Sequence, residues 1–541
     1  MTDQLTAPVH RATLWTLTSA KPRNDPWSEI TLVARFTGPA GKTLRVPAFW
    51  DGGETWRFRV SAPLVGQWQL ETECSDTSDS GLHGQRAVLD VTGPAPADSN
   101  PFNTHGAVRI TANGRHFEHL DGTPFHWLAD TWWMLMSERV SWPEGFKTLT
   151  AHRVGQGFTV GQVVIGFQPD TTPFDGRDAN AGGSPWHEGY SSINPSFFQA
   201  ADRRIEHMVD AGILPLILGG WGYHLLFMGK QRMISHWRYL VARYGAWPVL
   251  WCLAGEGAMA YYLSEDIPGE IRQLQEAWPD VAKAVHQSDP WQRPLTLHCR
   301  RHSWDDTIDP SSLDFHMTQA GHLPNAPRTA IESLAVGRDR FPNQIIINAE
   351  PPYEGHGGTN WDDVQRYSFW SSMLSGASGY TYGAAGVFQG NDRDRPTGNR
   401  PDGGAFDHAF WDDAMLFPGA EQIAKGHALL ASLNYEEFSV HPEWASIKLR
   451  NGHEAYPLPV RAFAAGIPGK LRVIYLPLRW YHWDGPLVSQ LEPGVSYKAA
   501  YIETDSLKRH EIGEITGDAN GEWRGPTLPH MFDWVLLLEA V

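Results

Sequence analysis

Two glutamates stand out in this sequence of 541 residues as groups placed to do chemistry. Glu256 ends the run Val249-Leu250-Trp251-Cys252-Leu253-Ala254-Gly255, and Glu350 ends Ile345-Ile346-Ile347-Asn348-Ala349. A carboxylate that closes an apolar strand is either a costly buried charge or a group aimed into a pocket. Two carboxylates facing one cleft can divide the work of breaking a glycosidic bond. One protonates the leaving oxygen, and the other attacks the anomeric carbon or activates water. The composition suits such a cleft, with 25 Trp, 16 Tyr and 23 Phe. A buried indole needs a partner for its N–H, so a Trp surplus fits flat, partly wet walls against which sugar rings can stack.

Other candidates lie at the ends of neighbouring apolar runs. Asp130, Trp132 and Trp133 follow the first run, and Trp221 follows Ile213-Leu214-Pro215-Leu216-Ile217-Leu218. His298, His316, Gln319 and His322 accompany the fifth and sixth runs, Tyr353 and Glu354 follow Glu350, and Tyr382 sits in the last. Asp130 is expected to bond a sugar hydroxyl or cap a turn, and the tryptophans to stack on substrate or roof the barrel. Gln319 and His322 are expected to bond substrate or orient an acid. Tyr353 is placed either to donate to Glu350, holding it ionised, or to pack in the core. Glu354 reads as a solvated group. No His-x-His closes the first run and no HExxH occurs, so neither a metal nor any other cofactor is expected.

These groups need a scaffold that brings strand ends to one mouth. Eight apolar segments, 125–129, 158–166, 213–219, 248–254, 294–299, 313–318, 344–349 and 379–383, alternate for the most part with helical patterns. In one unit, Asn194 caps a helix beginning at Pro195, and Phe198, Ala201, Ile205, Met208 and Val209 recur at helical spacing. Eight β/α units over this length predict an α/β fold, a (β/α)8 TIM barrel with its chemistry at the C-terminal strand ends. A doubly wound sheet is the alternative, but no G-x-G-x-x-G follows the first strand. A chain this long exceeds one ordinary core. Short alternating strands before the barrel predict an N-terminal β-sandwich over 1–93, then a Pro-rich linker over 94–104. The barrel is expected over 105–434, and a small C-terminal β-sandwich domain over 435–541. The β domains are expected to bind glycan, pack on the barrel or build a homo-oligomer interface.

Charge and cysteine content exclude several classes. With 61 Asp+Glu against 44 Lys+Arg, the net charge of −17 argues against nucleic-acid or anionic-membrane partners. Three scattered cysteines (Cys74, Cys252 and Cys299) form no disulfide framework and no Cys-x-x-Cys site. No secretory signal or membrane span is visible, so a cytoplasmic location is expected, with exo cleavage of small imported oligosaccharides.

At this point the residues resemble a family. Acids at the ends of strands four and seven are similar to those of the large clan of retaining (β/α)8 glycosidases. Within that clan the chain looks like the apiosidase-like group related to glycoside hydrolase family 140. The matching stretches are Phe125-His126-Trp127-Leu128-Ala129-Asp130-Thr131, Gln319-Ala320-Gly321-His322, Asn348-Ala349-Glu350-Pro351-Pro352-Tyr353-Glu354-Gly355, Ser375-Gly376-Ala377-Ser378-Gly379-Tyr380-Thr381-Tyr382-Gly383 and Phe417-Pro418-Gly419-Ala420-Glu421-Gln422. Trp50-Asp51-Gly52-Gly53-Glu54-Thr55-Trp56 and Phe532-Asp533-Trp534-Val535-Leu536 are similar to the β domains flanking such barrels. The resemblance implies Glu350 as nucleophile and Glu256 as general acid/base. It also implies an oligosaccharide or glycoside substrate. Gly255 stands where the clan carries an Asn that contacts the sugar 2-hydroxyl, which leaves furanosides open. Two other readings compete: a metal-dependent amidohydrolase on the same barrel, and a non-catalytic carbohydrate-binding protein.

Overall fold

Eight short parallel strands form the centre of the molecule, in a computed structural model that describes residues 4–94, 98–405, 409–447, 459–477 and 485–541. In chain order, strands one to eight are Trp127–Trp132, Val160–Val164, Leu214–Leu218, Leu250–Cys252, Leu295–Thr296, His316–Gln319, Ile346–Glu350 and Gly379–Tyr382. Each falls on one of the eight predicted segments. Every residue in them is buried, as expected for parallel strands covered on both faces. The hydrogen-bonded order is five-four-three-two-one-eight-seven-six, so the sheet curls into a barrel whose ladder is interrupted between strands five and six.

Amphipathic helices cover the outside. Pro195–Asp210 begins as the sequence predicts, with the Asn194 side chain accepting from the Ser196 N–H and Phe198, Ala201, Ile205, Met208 and Val209 buried. Ile267–Ser288 buries Leu274, Trp278, Val281 and Val285. Strand five is followed only by the 3-10 turns Ser303–Asp305 and Pro310–Ser312. The barrel is therefore thinnest where its ladder is open.

Both flanks are β-rich. The N-terminal domain packs a five-stranded sheet against a three-stranded one, around Trp15, Phe36, Phe58, Trp56 and Trp68. Of the expected linker, residues 95–97 lie outside the described residues, and Pro101–His105 is a helical turn capped by Asn100, with Phe102 buried. The C-terminal domain pairs a six-stranded with a three-stranded sheet.

Buried ion pairs fasten each flank to the barrel. Arg243 bonds Asp51 at 2.9 Å and Asp202 at 2.7 Å, while Arg59 reaches Asp202 at 2.6 Å. On the other side Arg366 grips Asp533 through Nε and Nη2 at 3.0–3.1 Å. Such pairs contribute little net stability, but removing one partner is costly because it leaves a buried charge unpaired. No helix among the described residues is long and apolar enough to cross a membrane.

Candidate active site

Strands four and seven bring Glu256 and Glu350 to one point at the C-terminal mouth. The side-chain Nε2 of Gln319, at the end of strand six, donates to Oε1 of both glutamates at 3.0 Å. One amide nitrogen bridging two oxygens limits their separation to about 6 Å, twice the bond length. Glu256 itself has a left-handed backbone, φ 42°, a conformation that costs a non-glycine residue roughly 1 kcal/mol or more and recurs at functional sites.

Two imidazoles hold Glu350. His322 accepts at Nδ1 from the Tyr353 backbone N–H (3.2 Å), so its proton sits on Nε2, which donates to Glu350 Oε1 at 3.1 Å. His298 likewise accepts at Nδ1 from the Glu256 backbone N–H (3.4 Å) and places Nε2 3.3 Å from Glu350 Oε2. Burial pushes the Glu350 carboxyl up, but the His298 and His322 imidazoles beside it outweigh burial and hold the group well below the usual range. Glu256 moves the other way. Burial, followed by the neighbouring Glu350 charge, raises it to about 7. Two carboxyls pushed apart in this manner form an ionised and a protonated partner near neutral pH.

The aromatic wall is built against this pair. The Trp133 N–H donates to the Tyr353 hydroxyl at 3.1 Å, and its ring meets Trp221 and His298 edge-on at 5.5 and 5.1 Å. Trp221 lies flat over Gly255, where a Cβ would fall 2.1 Å from two ring carbons. The space for a side chain at position 255 is thus filled by indole. The Trp278 N–H donates to the Gly257 carbonyl at 2.7 Å and supports the loop from outside.

Four expected contacts lie elsewhere. Strand residues alternate between faces, and Asp130, Trp132 and Tyr382 point outward to the helices, whereas Trp133 has the opposite parity and turns in. Asp130 is fully buried, accepting from Arg153 Nε at 2.6 Å, the Trp132 N–H at 2.9 Å and the Thr131 N–H at 2.8 Å. Trp132 packs on Phe146 of the helix Glu144–Gln156. Tyr382 donates to Glu354 at 2.6 Å. His316 opens strand six rather than ending it. It sits among Ser303, Gln344 and Phe341 at the opposite end of the barrel. Glu354 is not solvated: it is buried and also accepts from the Gly419 N–H, at 3.0 Å, near the start of the helix Pro418–Ser432. An Asp130→Asn variant should therefore lower thermal stability, by about 3–5 kcal/mol if Arg153 is left uncompensated, while leaving the KM of any cleaved substrate unchanged. A raised KM at unchanged melting temperature would return Asp130 to the substrate.

Some wall residues escaped the sequence reading. Asp170, beyond strand two, has a left-handed backbone (φ 64°) and takes a hydrogen bond from the Tyr262 hydroxyl. Burial raises its carboxyl to about 6, and its charge is felt by Glu256. Arg400 stacks over Tyr262 at 5.2 Å. His356 and Phe388 pack on His322 and Tyr353. Asp170 follows a strand end as Glu256 does, so the same rule applied to strand two would have found it. Among the described residues, no group of three or more His, Cys, Asp or Glu is arranged to hold a metal ion.

This architecture recurs among solved glycosidases. A glycoside hydrolase structure superimposes with a TM-score of 0.63 at 20% identity, over 81% of this chain and 98% of its own. A structure from Bacteroides vulgatus ATCC 8482 matches over 100% of both chains, with a TM-score of 0.70 and 16% identity. A glycoside hydrolase family 5 protein of the same organism gives 0.62 and 20%, over 81% of this chain and 93% of its own. At such identities these likenesses establish the fold alone, a (β/α)8 barrel with β-rich flanks. The sequence goes further. Residues 111–437 match the family model described as apiosidase-like, catalytic domain, so the chain belongs to the apiosidase-like family and is a glycoside hydrolase. Residues 6–75 match a domain of unknown function (DUF5060). No curated protein matches the sequence.

Proposed function

We propose that the protein is a retaining, exo-acting glycosidase for small glycosides, furanosides among them, working by double displacement. Glu350 attacks the anomeric carbon while Glu256 gives its proton to the leaving oxygen. Water, deprotonated by the Glu256 carboxylate, then releases the sugar with its configuration retained. The observation that carries this reading is the single Gln319 amide shared by both carboxylates. An upper limit of about 6 Å between these two oxygens supports the roughly 5–5.5 Å spacing of retaining enzymes over the wider spacing of inverting ones. The opposed proton affinities support these roles. The furanoside reading is supported by position 255, where the Trp221 ring fills the space a polar side chain would need.

The test is a panel of aryl glycosides, pyranosides and furanosides, with the first-formed anomer followed by proton NMR. Retention on a furanoside is the expected result. Inversion overturns the double displacement, and a purified, folded protein that cleaves nothing across the panel favours carbohydrate binding without catalysis.

A further inference from the structure

Strand seven ends at Glu350, but it begins at Ile346 on the wall of a cavity of about 430 Å³ at the other end of the barrel. Helix Ala326–Arg340 and the loop after it form one side, and Ser439, Val440 and Ala465 of the C-terminal domain form another. The cavity is roughly 13 Å along the strand from the catalytic carboxylate.

Its polar groups are mostly cationic or donating. Arg115, His116 and Arg338 line it, with Asp339 as the lining acid. Arg338 is half-buried, its Nε is shielded from solvent without a hydrogen-bond partner, and its guanidinium makes no hydrogen bond or ion pair among the described residues. This contrasts with Arg243 and Arg366, which are bonded to carboxylates. Burial draws the Arg338 pKa down, and the neighbouring Asp339 charge offsets this only in part. The side chain is also pinned: a Cβ on Gly376, whose φ is 92°, would lie 2.6 Å from Arg338 Cδ. A shielded guanidinium Nε–H without an acceptor is rare, and the rest of the fork is open to the cavity for a ligand. Its planar fork matches a carboxylate or phosphate. Phe341, Met373 and Leu374 supply an apolar wall, and the volume falls within the range of small-molecule sites.

We infer that this cavity binds a small organic oxyanion, a carboxylate or phosphate carried on a ring-sized body, with Arg338 as its main anchor and Arg115 at its rim. Such a ligand bridges the barrel and the C-terminal domain and stabilises their junction, independently of the cleft in which hydrolysis is proposed.

Calorimetric titration of the full chain with glucose 6-phosphate and with glucuronate, at matched ionic strength and with glucose as the neutral control, tests the site. Saturable heat and a raised melting temperature are expected with at least one anion and not with glucose. The responding probe distinguishes phosphate from carboxylate. Arg338→Gln should weaken binding about tenfold or more by removing a charge-assisted pair. Arg115→Gln, at an exposed position, should weaken it too and serves if the first variant unfolds. Glu350→Ala should retain the binding, which separates this site from the catalytic cleft. No saturable heat with either anion, unchanged affinity in the arginine variants, or loss in Glu350→Ala overturns the inference.

Discussion

Glu350→Ala is expected to lower kcat on an aryl furanoside by on the order of 10⁴-fold or more, the scale of losing a nucleophile. The fall has a cause beyond the lost bond. Gln319, His298 and His322 all converge on this carboxylate, so its removal leaves a set of donors with nothing to hold. The same vacancy makes the test specific. A small anion such as azide can enter the space left by the carboxylate and attack from its face. An activated aryl substrate should then yield a glycosyl azide of inverted configuration, with activity rising as azide is added. A variant that keeps wild-type activity, or an azide product of retained configuration, removes Glu350 from the nucleophile's role.

The second large effect is at Glu256, and it should depend on the leaving group. For an alkyl glycoside the departing oxygen needs a proton, and Glu256→Ala should cost about 10²–10⁴-fold in kcat/KM. For a dinitrophenyl glycoside, whose phenolate leaves unaided, the first step should be nearly unaffected and the loss should shift to release of the enzyme-bound sugar. The pH profile gives an independent reading. Glu256 must carry its proton to act as the acid, and burial beside Glu350 raises its carboxyl to about 7. Activity should therefore be present below that value and decline as pH rises through it. Glu350 must be ionised, and its depressed carboxyl keeps it so until far lower pH. The alkaline limb should vanish in Glu256→Ala when the dinitrophenyl substrate is used. Its persistence would place the titrating group elsewhere.

The barrel was legible because its strands are buried on both faces and read as unbroken apolar runs, as in Leu214–Leu218. The two glutamates that meet at Gln319 could be picked out because a carboxylate ending such a run has few innocent explanations. Facing was harder to read. In a strand buried on both sides, no hydrophobic alternation distinguishes the residue that points to the centre from the one that points to the helices. Trp132 and Trp133 are adjacent and alike, and only the structure shows that Trp132 packs on Phe146 while Trp133 joins Tyr353. Asp130 and Glu354 illustrate the same limit for charge. Their partners, Arg153 and the Gly419 N–H, lie far away in the chain, so sequence gave no sign that these carboxylates were already occupied. His316 was misplaced for a different reason: its strand starts later than the apolar run suggested, which moved it from near the mouth to the opposite end.

The open seam between strands five and six has a mechanical meaning for the site. Glu256 follows strand four and Glu350 ends strand seven, so the two carboxylates straddle the seam, and the continuous ladder joins them only by the long way round. Across the gap the chain relies on separate clasps: the Asp314 N–H on the Leu295 carbonyl at 2.8 Å, the Gln319 N–H on the Arg301 carbonyl at 2.9 Å, and an isolated bridge from His302 to Thr318. His298 and Gln319 come from the two lips of that gap, and both touch Glu350. The distance between the proposed acid and nucleophile is therefore the aperture of a split ring. A substrate that wedges the lips apart or draws them together changes that aperture directly, without bending any strand.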